Sequence, residues 1–180
     1  MTRQKITTRR KVDGFKFEIV GQYFNEFYHH HLGFELTNAQ KKVIKEFRKD
    51  LGKGKHMNRL LQGDVGSGKT MVAILTILIA VDNGFQACLM APTEILAKQH
   101  FDSIQPYFQK LGLKVNLLTG SVKKKIRSVI HEDLENGELN LLIGTHALLE
   151  DKVKFQNLGL AVIDEQHRFG VAQRAKLWRK

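Results

Sequence analysis

Two hydrophobic rhythms alternate along this chain. In some stretches apolar residues recur at helical spacing, and in others they run on over four to six positions. Phe15, Ile19, Tyr23, Phe24, Phe27 and Tyr28 fall at roughly helical intervals, so residues 15–31 are predicted to form an amphipathic helix. A second helix is predicted from about Thr37 to residue 50. Thr37 followed three residues later by Gln40 fits a capping box. Gly52-Lys53-Gly54-Lys55 reads as a loop, and residues 58–62 as a short buried strand. Residues 71–81 are almost wholly apolar and run into Asn83-Gly84, a good helix stop.

Beyond Gly84, strand-like runs at residues 85–90, 114–118, 139–143 and 160–163 alternate with helical segments. One helix starts at Pro92-Thr93, with Thr93 as its N-cap, and reaches about residue 109. A second follows the turn Thr119-Gly120-Ser121 and ends near Asn136-Gly137. A short helical piece follows Gly144-Thr145-His146, and residues 171–180 are helical. Alternation of this kind predicts an α/β fold, a three-layer αβα sandwich around a parallel sheet. No internal repeat and no low-complexity segment interrupts it.

Chemistry enters at Gly63-Asp64-Val65-Gly66-Ser67-Gly68-Lys69-Thr70, which matches the phosphate-loop pattern G-x-x-x-x-G-K-[ST] between a predicted strand and a predicted helix. Glycines let the backbone wrap a phosphate with its N–H groups pointing inward. Lys69 is expected to reach the β- and γ-phosphates, and the Thr70 hydroxyl to reach Mg²⁺. The phosphates themselves would lie at a helix N-terminus, where the dipole favours anions. The apolar run 160–163 ends in Asp164-Glu165, and ligands of open parallel sheets bind at that carboxyl edge. Asp164 is expected to hold Mg²⁺, directly or through water. Glu165 is expected to orient or deprotonate the attacking water. Taken alone, the two carboxylates also fit a plain solvent-exposed strand end.

Charge and composition narrow the class. The chain has 180 residues, enough for one domain with a real core, and a formal net charge of +11, which suits a polyanionic partner. Its single cysteine, Cys88, lies in an apolar run and excludes a disulfide framework. Residues 1–11 are basic and lack the apolar centre of a secretory signal, and 71–81 is too short to span a bilayer. A soluble cytoplasmic protein with no membrane partner is expected. Residues 1–30 are assigned to a basic linker and leading helix, and 31–180 to the main lobe. His29-His30-His31 point around a helix and cannot converge on one ion. Lys123-Lys124-Lys125 and Arg127 fit either a solvated face or a nucleic-acid patch.

Several motifs then occur in a known order: Gln40, the phosphate loop, Ala91-Pro92-Thr93-Glu94, Leu118-Thr119-Gly120-Ser121, Gly144-Thr145-His146-Ala147 and Asp164-Glu165-Gln166-His167. From about Phe15 onward the chain resembles the first RecA-like motor lobe of superfamily 2 helicases. Residues 60–70 and 162–171 look like the RecG family of bacterial branch-migrating DNA helicases. Gln166 favours that family over the transcription-repair coupling translocase, which usually has Glu there. The resemblance implies ATP and Mg²⁺ as cofactors and branched or double-stranded DNA as partner. The parent would act in fork reversal and Holliday-junction branch migration during recombination and repair. Coupling-factor and primosomal translocases, and a non-helicase phosphate-loop module, stand as alternatives.

By position, the resemblance has Gln40 read adenine, with Phe34 packing near the base; the capping box is the rival reading of Gln40. It places Thr93, Thr119, Gly120, Ser121, Thr145 and His146 against the DNA backbone, with ordinary capping as the rival reading, and has His167 couple hydrolysis to the DNA side, with a satisfied structural histidine as the rival. A second lobe with its arginine finger does not occur in these residues, so the chain alone is expected to hydrolyse little ATP. In such motors a further strand separates the phosphate-loop strand from the one ending at Asp164. That strand is also lacking, so the lobe is expected to be truncated at its C-terminal end, with a distorted sheet near Asp164 or self-association of the fragment. The parent is expected to be a monomer.

Overall fold

The computed structural model describes residues 14–64, 66–177 and 180. Expectations for the basic tail 1–13, for Val65 and for positions 178 and 179 of the last helix lie outside the described residues. Four strands, β1 (Gln86–Met90), β2 (Val115–Leu118), β3 (Leu141–Gly144) and β4 (Leu158–Ile163), are all parallel and lie in the order β2-β3-β1-β4. Strand β1 is buried at all five positions, as the continuous run of a central parallel strand requires. Its side chains alternate between two cores. Ala87 and Leu89 join Leu141, Ile143 and Leu160 on one face, while Cys88 and Met90 join Leu118 and Leu142 on the other. Burial pushes the Cys88 thiol up to about 12, as befits a small core residue.

Helices α1 (Gln22–Glu26), α2 (Asn38–Leu51), α3 (Lys69–Asp82) and α4 (Glu94–Lys110) cover the first face. Helices α5 (Lys124–Glu135) and α6 (Val171–Leu177) cover the second. This is the predicted three-layer sandwich. Nine of the 14 residues of α3 are buried. A helix apolar all round must be enclosed on every side, and α3 packs between the sheet and the pair α1, α2. No helix among the described residues is long and apolar enough to cross a membrane.

The leading segment differs from its prediction. Residues 15–31 do not form one helix. α1 is five residues long and passes into a π-helical turn at Phe27–His31, and the chain before it is irregular. The end of α3 explains this. The Asp82 carboxylate accepts from the backbone N–H of Gly21 (2.9 Å), Tyr23 (2.9 Å) and Phe24 (3.1 Å), caging the N-terminus of α1. Asn83 accepts from Glu18 N and Ile19 N and donates to Ile19 O, so the amides of 18–19 are committed outside any helix. Phe15 and Phe17, two residues apart, both pack on the Phe85 ring, which follows an extended spacing rather than a helical one.

A second correction concerns residues 58–62, read as a buried strand. They form no strand, and Leu60 is 60% exposed. A strand needs a neighbour for its backbone groups. Here β4 pairs only with β1, and among the described residues no strand lies beyond it. Five strands were predicted and four form. The distortion expected near Asp164 does not occur either. The ladder runs regularly to Asp164 N donating to Met90 O at 2.9 Å, and the one register shift sits at the other end, between Gln86 and Ala87.

The Asp82 cage predicts a measurable cost. Asp82→Ala leaves three N–H groups at the start of α1 without their acceptor and is expected to lower the unfolding free energy by about 1–3 kcal/mol. Urea denaturation checks this, and an unchanged midpoint would show the leading segment to be held by its aromatic contacts alone.

Candidate nucleotide site

The site is assembled at the carboxyl edge of the sheet, where each strand hands over to a loop or helix. Thr93 follows β1, Gly120 and Ser121 follow β2, Thr145 and His146 follow β3, and Asp164 and Glu165 follow β4. Helix α3 opens at the same edge. Gly66 and Gly68 precede it with φ of +82° and +76°, a left-handed conformation that side chains resist. A Cβ at Gly68 would also lie 2.2 Å from Gln40 Nε2. The N-terminus of α3 has no side-chain cap and no acidic residue in its first turn. Its leading N–H groups and the positive end of its dipole therefore suit an anion. Lys69 is folded back, its Nζ donating to Gly63 O and Asp64 O at 2.7 Å each, and Ser67 N donates to Asp64 O.

Gln40 takes part in two structures at once. Its Oε1 accepts from Thr37 N at 2.8 Å while Thr37 Oγ1 accepts from Gln40 N, so the capping box forms. Its Nε2 donates to Ser67 O at 2.9 Å, strapping α2 to the phosphate loop. Phe34 is half exposed and lies in the segment leading into α2.

Asp164 stands at the end of β4 with its side chain about one-third exposed. Its Oδ2 pairs with His100 Nε2 at 2.8 Å, and its Oδ1 accepts from Glu165 N at 2.9 Å. The His100 hydrogen bond holds its carboxyl below the usual carboxylate range, helped by the Glu165 N–H and the charge of Lys69 against the opposing effect of burial. Lys69 is thus near enough to Asp164 for its charge to favour the ionised carboxylate. Glu165 is the one non-glycine among the described residues with positive φ, at +45°. That conformation turns the chain from β4 into the short 3₁₀ turn Gln166–Arg168 and costs about 1–2 kcal/mol. The Glu165 carboxylate pairs with Arg168 Nε at 2.8 Å on the surface, and His167 is exposed in the same turn.

Of the residues assigned to the nucleic-acid side, the Gly120-Ser121 turn is tied to the start of α4 by Glu94. Thr93 caps α4 by accepting from Leu96 N. Glu94 accepts from Ser121 N (3.2 Å) and Ser121 Oγ (2.9 Å), and lies beside Gly120. The Ser121 hydroxyl, more than the backbone groups around it, holds the Glu94 carboxyl below its ordinary range. Thr145 is buried and its hydroxyl has no partner among the described residues, whereas His146 is exposed at the start of a 3₁₀ turn. Lys123, Lys124 and Lys125 are all exposed, and Arg127 instead turns inward to Thr119 O and Glu150.

His100 was missed from sequence. It lies three residues after Ala97 and four before Ile104, both fully buried, so it sits on the inward face of an amphipathic helix. A polar side chain in that stripe, near the carboxyl edge of a parallel sheet, was the available signal.

Comparison with known proteins decides the family. The model for DEAD/DEAH box helicases matches residues 37–180. The chain belongs to the DEAD/DEAH box helicase family. The matched helicase region starts at the N-cap of α2 and so takes in Gln40, the phosphate loop and Asp164, while Phe34 and the leading segment lie before it. Among relatives, the ATP-dependent DNA helicase RecG of Synechocystis is 58% identical over 149 residues, 83% of this chain and 18% of that protein. RecG of Thermotoga maritima is 49% identical over 178 residues, 98% of this chain and 23% of that protein. The chain spans about a fifth of the length of these curated relatives. A solved structure of RecG bound to a three-way DNA junction superposes with a TM-score of 0.80 at 46% identity, covering 88% of this chain and 22% of that one. The DUF1998 helicase MrfA, at 21% identity and a TM-score of 0.69 over 90% of this chain and 27% of its own, shares the fold.

The strain at Glu165 can be read directly. Glu165→Gly removes about 1–2 kcal/mol of left-handed strain and adds about 0.4–1 kcal/mol of unfolded-state entropy. Chemical denaturation is expected to show a net gain of about 0.5–1 kcal/mol. Glu165→Val, β-branched at the same φ, is expected to lose at least about 1 kcal/mol.

Proposed function

We propose that this chain is the nucleotide-binding motor lobe of an ATP-dependent double-stranded DNA translocase of the RecG type. Its parent would reverse stalled forks and migrate Holliday junctions in recombination and repair. The observation that carries the reading is the meeting, at one sheet edge, of an uncapped helix N-terminus, Lys69 and an ionised Asp164. Family membership implies ATP use, and the residues present fit Mg·ATP. The α3 N-terminus and Lys69 match phosphate charge, and the Asp164 carboxylate with the Thr70 hydroxyl offers the hard oxygen donors that Mg²⁺ takes. Mg²⁺ supplies charge neutralisation of the transferring phosphoryl group when bound.

The chain's own groups divide the work. Backbone N–H groups of 63–70 cradle the phosphates, and Lys69 exchanges its two carbonyl partners for phosphate oxygens. Glu165 leaves its exposed ion pair with Arg168, which holds it by no more than about 1 kcal/mol, and orients the attacking water. His167, exposed beside it, links that step to the DNA side. Gln40 reads adenine by giving up its bond to Ser67 O, so adenine recognition and loop release become one event. Phe34 stacks near the base.

On the DNA side, Thr93, Gly120, Ser121 and His146 contact sugar-phosphate, and Thr145 shapes the turn that presents His146. The RecG structure was solved with a three-way DNA junction, and the net charge of +11 here suits such a partner. The uncovered edge of β4 is closed, in this reading, by a strand from the greater length of the parent. Residues 1–30 are assigned the role of a connector, and Asp82 and Asn83 tie its residues 18–24 to the motor.

Calorimetry with Mg·ADP tests the reading. Wild type is expected to bind, and Lys69→Ala to weaken binding at least about 100-fold, near 2.7 kcal/mol. Equal affinities would refute it. In the full-length parent, Glu165→Gln is expected to keep nucleotide binding and lose turnover, which single-turnover assays would separate.

A further inference from the structure

Asp164 is the only carboxylate expected to hold the metal, and the structure shows what fixes its orientation. One oxygen is tied only to the N–H of its own neighbour, Glu165, at 2.9 Å. That contact spans a single peptide and moves with the strained turn it belongs to, so it references the carboxylate to nothing rigid. The other oxygen, Oδ2, meets His100 Nε2 at 2.8 Å from a different element, 64 residues away in sequence. The backbone of α4 at that point is held in the core: Ala97, Ile104 and Phe108, on the same helix face, are fully buried. The His100 side chain is itself only 18% exposed.

Against an ionised carboxylate the imidazole nitrogen must donate, so Nε2 carries the proton in this pair. A carboxylate oxygen has two lone pairs. Accepting from His100 therefore fixes the rotamer of Asp164 while leaving capacity on both oxygens toward the phosphate loop. Among the hydrogen bonds of the described residues, Asp164 is the one partner of the His100 side chain.

We propose that His100 is a positioning residue: through its Nε2–H bond to Oδ2 it sets the Asp164 carboxylate in the orientation that receives Mg²⁺ beside the phosphate loop. This rests on the nucleotide reading above and deepens it. Groups that hydrogen-bond a metal's carboxylate ligand typically change metal affinity 10–100-fold when removed, and the same scale is expected here.

The test follows binding of a fluorescent ADP to the 180-residue chain while Mg²⁺ is varied, with a parallel titration in EDTA. Two replacements keep bulk in the α4 face. His100→Met has no donor. His100→Gln places an amide N–H at about the reach of Nε2. For His100→Met, the Mg²⁺ concentration giving half-maximal tightening is expected to rise about 10–100-fold, while affinity in EDTA stays within about twofold of wild type. His100→Gln is expected to recover most of the Mg²⁺ response.

An unchanged Mg²⁺ midpoint in His100→Met would overturn the proposal, as would an equal loss of affinity with and without Mg²⁺, which marks a purely structural role. Failure of both variants to fold assigns His100 to the fold and overturns it too. If wild type itself binds no nucleotide in Mg²⁺, the site reading fails and takes this inference with it. A wild type that tightens with Mg²⁺ beside an unaltered His100→Met sinks the inference alone.

Discussion

Helix α3 is enclosed by the sheet on one side and by α1 and α2 on the other, with most of its length out of water. Burying one of its large aliphatic side chains contributes about 1.5–3 kcal/mol, so the helix cannot shift or rotate without losing several such terms together. Both of its ends are therefore fixed points. At one end the buried cylinder aims uncapped N–H groups and Lys69 at the carboxyl edge of the sheet. At the other, Asp82 and Asn83 capture the leading segment through six hydrogen bonds to the backbone of residues 18–24. The phosphate loop and residues 18–24 are thus held at the two ends of one buried helix. A displacement imposed at the loop has a direct mechanical path to residues 14–31.

The architecture was readable wherever a segment's apolar pattern is satisfied locally or by neighbours already in the chain. β1 to β4 and α2 to α6 follow from continuous or helical runs bounded by Gly, Pro, Asn and capping hydroxyls. Residues 58–62 misled because an apolar stretch shows only that a strand is wanted. Whether one forms depends on a partner strand, and none among the described residues reaches this one. Residues 15–31 misled for the opposite reason. Their helical spacing is real, but the Asp82 and Asn83 side chains, some sixty residues away, claim the backbone amides first.

The site was legible as a motif and obscure as a geometry. The glycine pattern announced the loop, and the apolar run before Asp164 announced the carboxylate. The bond from His100 to Asp164 joins elements with no signal linking them in sequence. Gln40 was framed as either a cap or a ligand-reading group. It is a cap, and it is also a strap on the loop, because a side-chain amide has a donor and an acceptor to place separately. That strap couples Gln40 directly to the backbone of the loop.

In the proposed reading, loop, strap and carboxylate form one nucleotide site at the carboxyl edge of the sheet. Backbone amide resonances of the chain, followed by NMR through a titration with Mg·ADP, test it most directly. The largest shifts are expected at residues 63–70, at Gln40 and at Asp164 and Glu165, with the second face of the sheet and α5 unmoved. Shifts concentrated elsewhere, or a loop that responds while Gln40 and Asp164 stay silent, would contradict it.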